Sequence, residues 1–389
     1  MSPVAYCGGR VLVDGGLVSA DVTIDDGLIV AVDETEPPPD RSTTARSSPD
    51  TVDCTGQIIS AGFIDLQCNG ADGVDLTREP EGIAHVARQL PRFGVTAFLP
   101  TVVTAPASNR ARAVVAVQQL AASRDASSGA VALGLHFEGP MISVDHLGAH
   151  TESHVAAVSP TEIDEWVGSG AVSMVTLAPE IPGGLAAIEQ LAAAGVVVSG
   201  GHTAMTPDEF ITARVAGLGY ITHLFNAMAP FSHRAPGPIG AVLADDGVVA
   251  GLICDGIHVD PTAVRLAWRL LGPERMSLVS DASAALGAPF GTFRLGGVDV
   301  VHDATGVRTA DGVLAGSDLA LDRAVRNLMA FTGCDLADAL ATVTSTPADL
   351  LGLTDRGRIR VGARADLTVL TATGELVATI VDGAIAWKS

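Results

Sequence analysis

The sequence predicts an α/β protein: a (β/α)8 TIM-like barrel carrying a small β-sandwich domain formed by both chain termini. Three observations carry this reading. Eight apolar, strand-type runs are spread through the middle of the chain, amphipathic Ala/Leu/Arg-rich segments fill most gaps between them, and the two ends share a style of short β-runs joined by tight turns.

At the N-terminus, residues 11–13, 21–24 and 28–32 are short β-type runs separated by Gly-Gly or Asp-Gly turns. Pro37-Pro38-Pro39 and the Ser/Thr-rich stretch to Pro49 predict an exposed excursion. The C-terminus returns to the same pattern at 359–361, 367–370, 377–381 and 384–387, with Asp382-Gly383 as a turn. Residues 1–57 and 355–389 are therefore assigned to one β-domain, and 58–354 to the barrel.

The eight central runs are 63–66, 95–100, 131–137, 173–177, 196–199, 220–223, 248–254 and 276–280, with helical segments such as 107–122 and 262–271 between them. Parallel strands need crossover helices, so repeated β-α units of this number close most naturally into a barrel. An open doubly wound sheet would place a Gly-rich phosphate turn after its first strand. Here that strand runs into Gln67-Cys68-Asn69-Gly70.

Composition narrows the function. The 389 residues carry a formal charge of −21, which repels nucleic acid and anionic membranes. An anionic small substrate would need a local cationic pocket set against that field. The single lysine, Lys388, sits beside the C-terminus, which excludes Schiff-base chemistry and a P-loop. Five scattered cysteines (7, 54, 68, 254 and 334) form no C-x-x-C pair and suggest neither a disulfide framework nor a zinc finger. No leader-like or membrane-spanning segment is evident, so a soluble cytoplasmic protein is expected.

A barrel of this kind places its active site at the C-terminal ends of its strands. The conspicuous polar residues fall there: His136 and Glu138 on the third strand, His202 after the fifth, His223 and Asn226 on and after the sixth, Asp255 and His258 after the seventh, Asp281 after the eighth. A lone histidine there is commonly a satisfied structural residue, and a carboxylate often caps the next helix. One glutamate and two histidines on the same rim are the set that catalytic zinc uses. Glu138, His202 and His223 are thus the candidate metal ligands. His136 is a candidate support for them, and Asp281 is the candidate general base and acid.

At these residues the sequence resembles the N-acetylglucosamine-6-phosphate deacetylases of the amidohydrolase superfamily. The resemblance rests on Gly62-Phe63-Ile64-Asp65, Gly134-Leu135-His136-Phe137-Glu138-Gly139-Pro140, Thr176-Leu177-Ala178-Pro179-Glu180, Gly201-His202-Thr203, Thr222-His223-Leu224-Phe225-Asn226-Ala227-Met228, Asp255-Gly256-Ile257-His258-Val259-Asp260 and Leu314-Ala315-Gly316-Ser317. It implies hydrolysis of the acetamide of an amino-sugar phosphate, with Asp281 and His150 as catalytic residues. It also implies substrate contacts from Ala149, His150, Asn226, Ala227, Arg234, Asp255, Gly256, Ile257, His258, Leu314, Ala315 and Gly316. Arg234, His258 and the Asn226-Ala227 amides would take the phosphate. A homodimer is implied, whose second subunit completes that pocket.

Many amidohydrolases carry His-x-His after the first strand for a second metal, whereas this chain has Gln67-Cys68-Asn69. Amides are poor zinc ligands, so one divalent ion per subunit is expected: zinc, with iron, cobalt or manganese acceptable at such a site. The second site is weak or absent, unless Cys68 supplies a thiolate. The lack of a barrel lysine excludes relatives that bridge two metals with a carboxylated lysine. A deacetylase or deaminase for another compound, and a non-catalytic sugar-phosphate sensor, stand as alternatives.

Overall fold

The computed structural model describes residues 3–35, 51–123 and 129–389; the expected excursion through Pro37-Pro38-Pro39 to Pro49 lies outside them. At its centre are eight parallel strands: β1 (Phe63–Cys68), β2 (Val95–Val103), β3 (Leu135–Glu138), β4 (Val172–Leu177), β5 (Val197–Gly200), β6 (Leu218–Ile221), β7 (Val249–Leu252) and β8 (Met276–Leu278). Each pairs with the next in chain order from β1 to β8. The barrel is nearly closed at its β8–β1 seam. There the Asp281 N–H donates to the Gln67 carbonyl at 2.9 Å and the Asn69 N–H to the Ala282 carbonyl at 2.7 Å. Asp65 spans the same seam, accepting from the Gln67 and Ser280 amides at 3.2 Å each and from the Ser280 hydroxyl at 2.5 Å.

Each expected barrel strand is present, with one change, whereas the expected terminal run at 359–361 forms no strand. The 131–137 run is split into Val131–Ala132 and β3, with Gly134 at φ +107° between them. A Cβ at Gly134 would lie 2.0 Å from the Ser173 hydroxyl, so only glycine permits this break. β3 then ends on Glu138, at the barrel mouth.

The helices start where local chemistry stops the backbone's first amides from going unpaired. Pro207–Ala216 opens with a capping box, Thr206 accepting from the Glu209 amide and Glu209 answering at the Thr206 amide. Pro261–Arg275 opens on Asp260, which accepts from Thr262, with proline at the first helical position. The barrel's apolar interior continues into the helical layer as one large core, in which Phe63, Phe98, Phe137 and Tyr220 are fully buried.

The strands of both termini lie in one hydrogen-bonded path. Ala384–Lys388, Leu376–Val381, Leu367–Thr371, Gln57–Ala61, Val4–Val13, Gly16–Asp25 and Leu28–Glu34 follow one another, and Thr51–Asp53 pairs with Val4–Val13. The two ends of this sheet approach each other, the Ala365 amide donating to Gly27 O at 2.8 Å and the Gly383 amide to Ala365 O at 2.9 Å. The expected sandwich is realised as one curled sheet with an apolar core of its own, including Tyr6, Val22, Ile24, Ile59, Leu367 and Ile380. The sheet takes in Gln57–Ala61, past the expected division at 57/58, because Ile58, Ile59 and Ala61 pair antiparallel with Leu367–Thr371.

A three-stranded antiparallel insertion (Gly291–Leu295, Val298–Asp303 and Gly306–Thr309) follows β8 and was not foreseen. It packs Leu295, Val300 and Val307 against Ala285 and Ala315. Its first turn is tied to the barrel by the Gly296 amide, which donates to Asp75 at 2.6 Å. No helix among the described residues is long and apolar enough to cross a membrane.

Candidate metal centre and active site

Glu138, the last residue of β3, is the hub of the barrel mouth. Its Oε1 lies 2.8 Å from His223 Nε2, 3.1 Å from His202 Nε2 and 3.0 Å from Gln67 Nε2. His202 and His223 stand just beyond the ends of β5 and β6, at φ +48° and +26°, and Asp281 follows β8 at φ +47°. These are left-handed conformations that residues with a Cβ seldom adopt, each costing of the order of 1–3 kcal/mol. The turn bends each side chain out of the strand pleat and over the mouth.

The histidine hydrogen bonds show what this cluster can hold. His202 Nδ1 lies 2.9 Å from the His146 carbonyl, which can only accept, so that nitrogen carries the ring proton and Nε2 presents a lone pair. That lone pair faces His223 Nε2 at 3.2 Å beside the Glu138 carboxylate. Only a proton or a cation among the three atoms makes this contact attractive. One carboxylate oxygen and two imidazole nitrogens, all within 4.8 Å of one another and all buried, suit a divalent ion with a position left open. Burial alone would raise the Glu138 pKa, but His150, His202 and His223 outweigh it and hold the carboxyl well below the usual range.

The amides that replace the His-x-His pattern serve the acids beside them. The Thr222 hydroxyl donates to Gln67 Oε1, which turns Gln67 Nε2 toward Glu138. Asn69 Nδ2 donates to Asp281 Oδ1 at 2.7 Å. Asp281 is buried, and desolvation together with the nearby Glu138 charge raises its pKa from 3.8 to about 6. Cys68, between the two amides, points elsewhere. Its thiol lies 3.6 Å from the Gly70 carbonyl, and burial keeps it protonated. The thiolate role considered for Cys68 is therefore not supported by its position.

His136 is a satisfied core residue. Its Nδ1 donates to Leu66 O at 3.1 Å and its Nε2 lies 2.8 Å from the Thr176 hydroxyl, while burial pulls its pKa down to about 4. It ties β3 to β1 and β4 and hydrogen-bonds to none of the three candidate ligands. His150, on the loop after β3, does reach the cluster. Its Nε2 lies 3.6 Å from Glu138 Oε2 and its ring is 4.2 Å from that of His202, centre to centre. Burial, aided by His202, brings its pKa to about 4.

One cavity gathers most of the expected contacts. It is lined by Glu138, Ala149, His150, His202, His223, Asn226, Ala227, His258, Asp281, Leu314 and Gly316. His258 is braced by Asp255, whose Oδ2 accepts from Nδ1 at 2.6 Å, leaving Nε2 for the cavity. Gly256, Ile257 and Ala315 support the wall from outside it: a Cβ on Gly256 would meet Phe331, Ile257 packs near Gly306, and Ala315 is buried under the insertion. Arg234 does not join this group. It lies exposed in the loop before Gly237–Ala244, where the Ser232 and Ala235 amides and carbonyls exchange hydrogen bonds. Leu295 and Val313, beside the expected Leu314, bring the insertion to the cavity rim. Alternating residues from 291 to 309 with Gly296-Gly297 as a turn were the signal for it.

A profile of the amidohydrolase family matches residues 58–386. An N-acetylglucosamine-6-phosphate deacetylase from Bos taurus is 36% identical over 400 residues, covering 99% of this chain and 96% of its own length. The chain belongs to the N-acetylglucosamine-6-phosphate deacetylase family of amidohydrolases. Its deacetylase relatives include one from Bacillus subtilis (strain 168), 34% identical over 95% of this chain and 93% of that protein. The crystal structure of the Pasteurella multocida deacetylase superposes with a TM-score of 0.91 at 30% identity, covering both chains completely. A Mycobacterium smegmatis deacetylase in complex with N-acetyl-D-glucosamine-6-phosphate gives 0.89 at 33% identity, over 99% of this chain and 100% of that one.

Proposed function

We propose that this deacetylase-family chain hydrolyses the acetamide of N-acetyl-D-glucosamine 6-phosphate, yielding D-glucosamine 6-phosphate and acetate. The observation that carries the reading is the single cavity in which Glu138, His202 and His223 converge beside the buried carboxylate of Asp281. Full-length similarity to deacetylases of that substrate supports it.

Glu138, His202 and His223 would hold one divalent ion, zinc by donor preference. When bound, the ion supplies a Lewis acid for the acetamide carbonyl and lowers the pKa of water from 15.7 toward about 7. Asp281 takes the proton of the attacking water, its free Oδ2 directed by the Asn69 bond on Oδ1. His150, beside Glu138 Oε2, donates to the acetamide oxygen as negative charge develops there. As the C–N bond breaks, Asp281 returns its proton to the leaving amine, and the acetyl carbon leaves as acetate.

The phosphate is read by His258 Nε2, by the amides near Asn226 and Ala227, and by Arg234. Among the described residues the cavity lining contains no lysine or arginine, and Arg234 stands exposed outside its own cavity. This supports a homodimer in which Arg234 serves the neighbouring subunit's substrate. Acetate release from a panel of N-acetylated sugars, with and without 6-phosphate, tests the proposal. Equal turnover of both forms would favour a deacetylase for another compound, and no release at all would favour a sensor.

A further inference from the structure

We propose that Thr104, the residue after β2, is a positioning residue that sets the tautomer of His150: its hydroxyl donates to Nδ1 and thereby places the ring proton on Nε2, facing the substrate. The inference deepens the deacetylase reading and rests on it for the role of His150.

The geometry leaves two assignments. Thr104 Oγ1 lies 2.8 Å from His150 Nδ1 and 3.3 Å from the Glu138 carbonyl oxygen, and it has one proton to give. If that proton went to the carbonyl, Nδ1 would carry the ring proton and Nε2 would be a bare lone pair. That lone pair would face Glu138 Oε2 at 3.6 Å, an acceptor with negative charge. If the proton goes to Nδ1, Nε2 carries the ring proton and points it at the carboxylate.

The 2.8 Å Thr104–Nδ1 bond is kept in either assignment, so the difference lies at the other end of the ring. An Nε2–H facing the carboxylate at 3.6 Å is attracted and a lone pair there is repelled, which outweighs one neutral carbonyl contact at 3.3 Å. The second assignment therefore wins. The ring is buried against that of His202, 4.2 Å away centre to centre, which disfavours a second proton and leaves the choice between the two neutral tautomers. It matters for chemistry because an Nε2 lone pair would repel a developing oxyanion, whereas an Nε2–H stabilises it.

The surroundings hold the arrangement in place. Thr104 is buried, and the Gly139 backbone comes so close that a Cβ there would lie 2.2 Å from Thr104 Oγ1. Gly139 also sits at φ +83°. The glycine after Glu138 thus leaves the space in which the hydroxyl meets the ring.

The decisive measurement is nitrogen NMR of the metal-loaded, 15N-histidine-labelled protein. The His150 signals are identified by their loss in His150→Gln. The expected result is an Nε2–H ring in the wild type and a shift toward Nδ1–H in Thr104→Val, which keeps the shape and removes the hydroxyl. Kinetically, Thr104→Val should lower kcat 10- to 100-fold with KM within about threefold, and Thr104→Ser should recover most of it. In a His150→Gln background Thr104→Val should add little further loss, because the threonine acts through the ring.

An Nδ1–H ring in the wild type would overturn the proposal. So would unchanged kcat in Thr104→Val, or an equal loss in Thr104→Ser. If the wild type releases no acetate from the phosphorylated sugar, the function reading fails by itself and the tautomer is still read by NMR.

Discussion

Replacing Asp281 by asparagine separates chemistry from structure at this site. The amide oxygen introduced by Asp281→Asn can still accept from Asn69 Nδ2, which in the wild type lies 2.7 Å from Asp281 Oδ1, so the side chain keeps its place. What disappears is the proton acceptor. General acid–base groups contribute about 10²- to 10⁴-fold. In the proposed mechanism one carboxylate serves both attack and departure, and the other carboxylate in the cavity, Glu138, is engaged by Gln67 and two histidines. The loss in kcat should therefore lie near the upper end, about 10³- to 10⁴-fold, or about 4–5.5 kcal/mol.

Stability should move the other way. Ionising a buried carboxyl whose pKa is raised from 3.8 to about 6 costs the fold on the order of 3 kcal/mol at neutral pH, a penalty the neutral amide avoids. The chelated Asp281→Asn protein should melt higher than chelated wild type. Acetate release under saturating substrate, calorimetric binding of the phosphorylated sugar and thermal unfolding together make the assay. Turnover within tenfold of wild type would refute the assignment of Asp281 as the base. Lower stability would refute the account of its burial.

Chelation should abolish turnover and a divalent ion restore it, with one equivalent per subunit retained after exhaustive dialysis; two equivalents would mean that Gln67 and Asn69 do not block a second site. Arg234→Ala should weaken use of the phosphorylated sugar at least tenfold, about 1.4 kcal/mol or more, and leave residual activity on unphosphorylated N-acetylglucosamine nearly unchanged. Equal losses on both sugars would show that Arg234 supports the fold or the chemistry. Asp65, its pKa raised by burial from 3.8 to about 7, holds a proton more tightly folded than unfolded. Its contribution to stability is thus complete below about pH 4 and is lost as pH rises through about 7. Asp65→Asn should flatten that decline in denaturation curves taken across the window; an unchanged slope would exclude Asp65 as its source.

The terminal sheet and the barrel differ in how they could be read. The barrel strands are mainly apolar and buried on both faces, and such runs announce themselves wherever they occur. The insertion after β8 is a half-exposed ribbon whose Thr292, Arg294, Asp299 and Val301 face solvent, so its hydrophobic signal is diluted. His136 and His150 illustrate the same limit for the site. Both are histidines near Glu138 in the chain, and residue type cannot say which reaches the candidate metal ligands.

From the sequence by itself came the eight-strand alternation, the Glu138, His202 and His223 set and the candidate base at Asp281. These follow from strand periodicity and from the rule that barrel loops at one end carry the chemistry, both of which are local properties. Only the tertiary structure decided what the neutral residues do and where Arg234 stands. Gln67 and Asn69 are turned by barrel closure onto Glu138 and Asp281, Thr104 is brought against His150 from the preceding strand, and Arg234 is left outside its own cavity. Those roles depend on contacts between residues 46 and 212 positions apart in the cases of Thr104–His150 and Asn69–Asp281. Hydrogen-bond direction and distance exist only once the chain has closed, and no periodicity in the sequence encodes them.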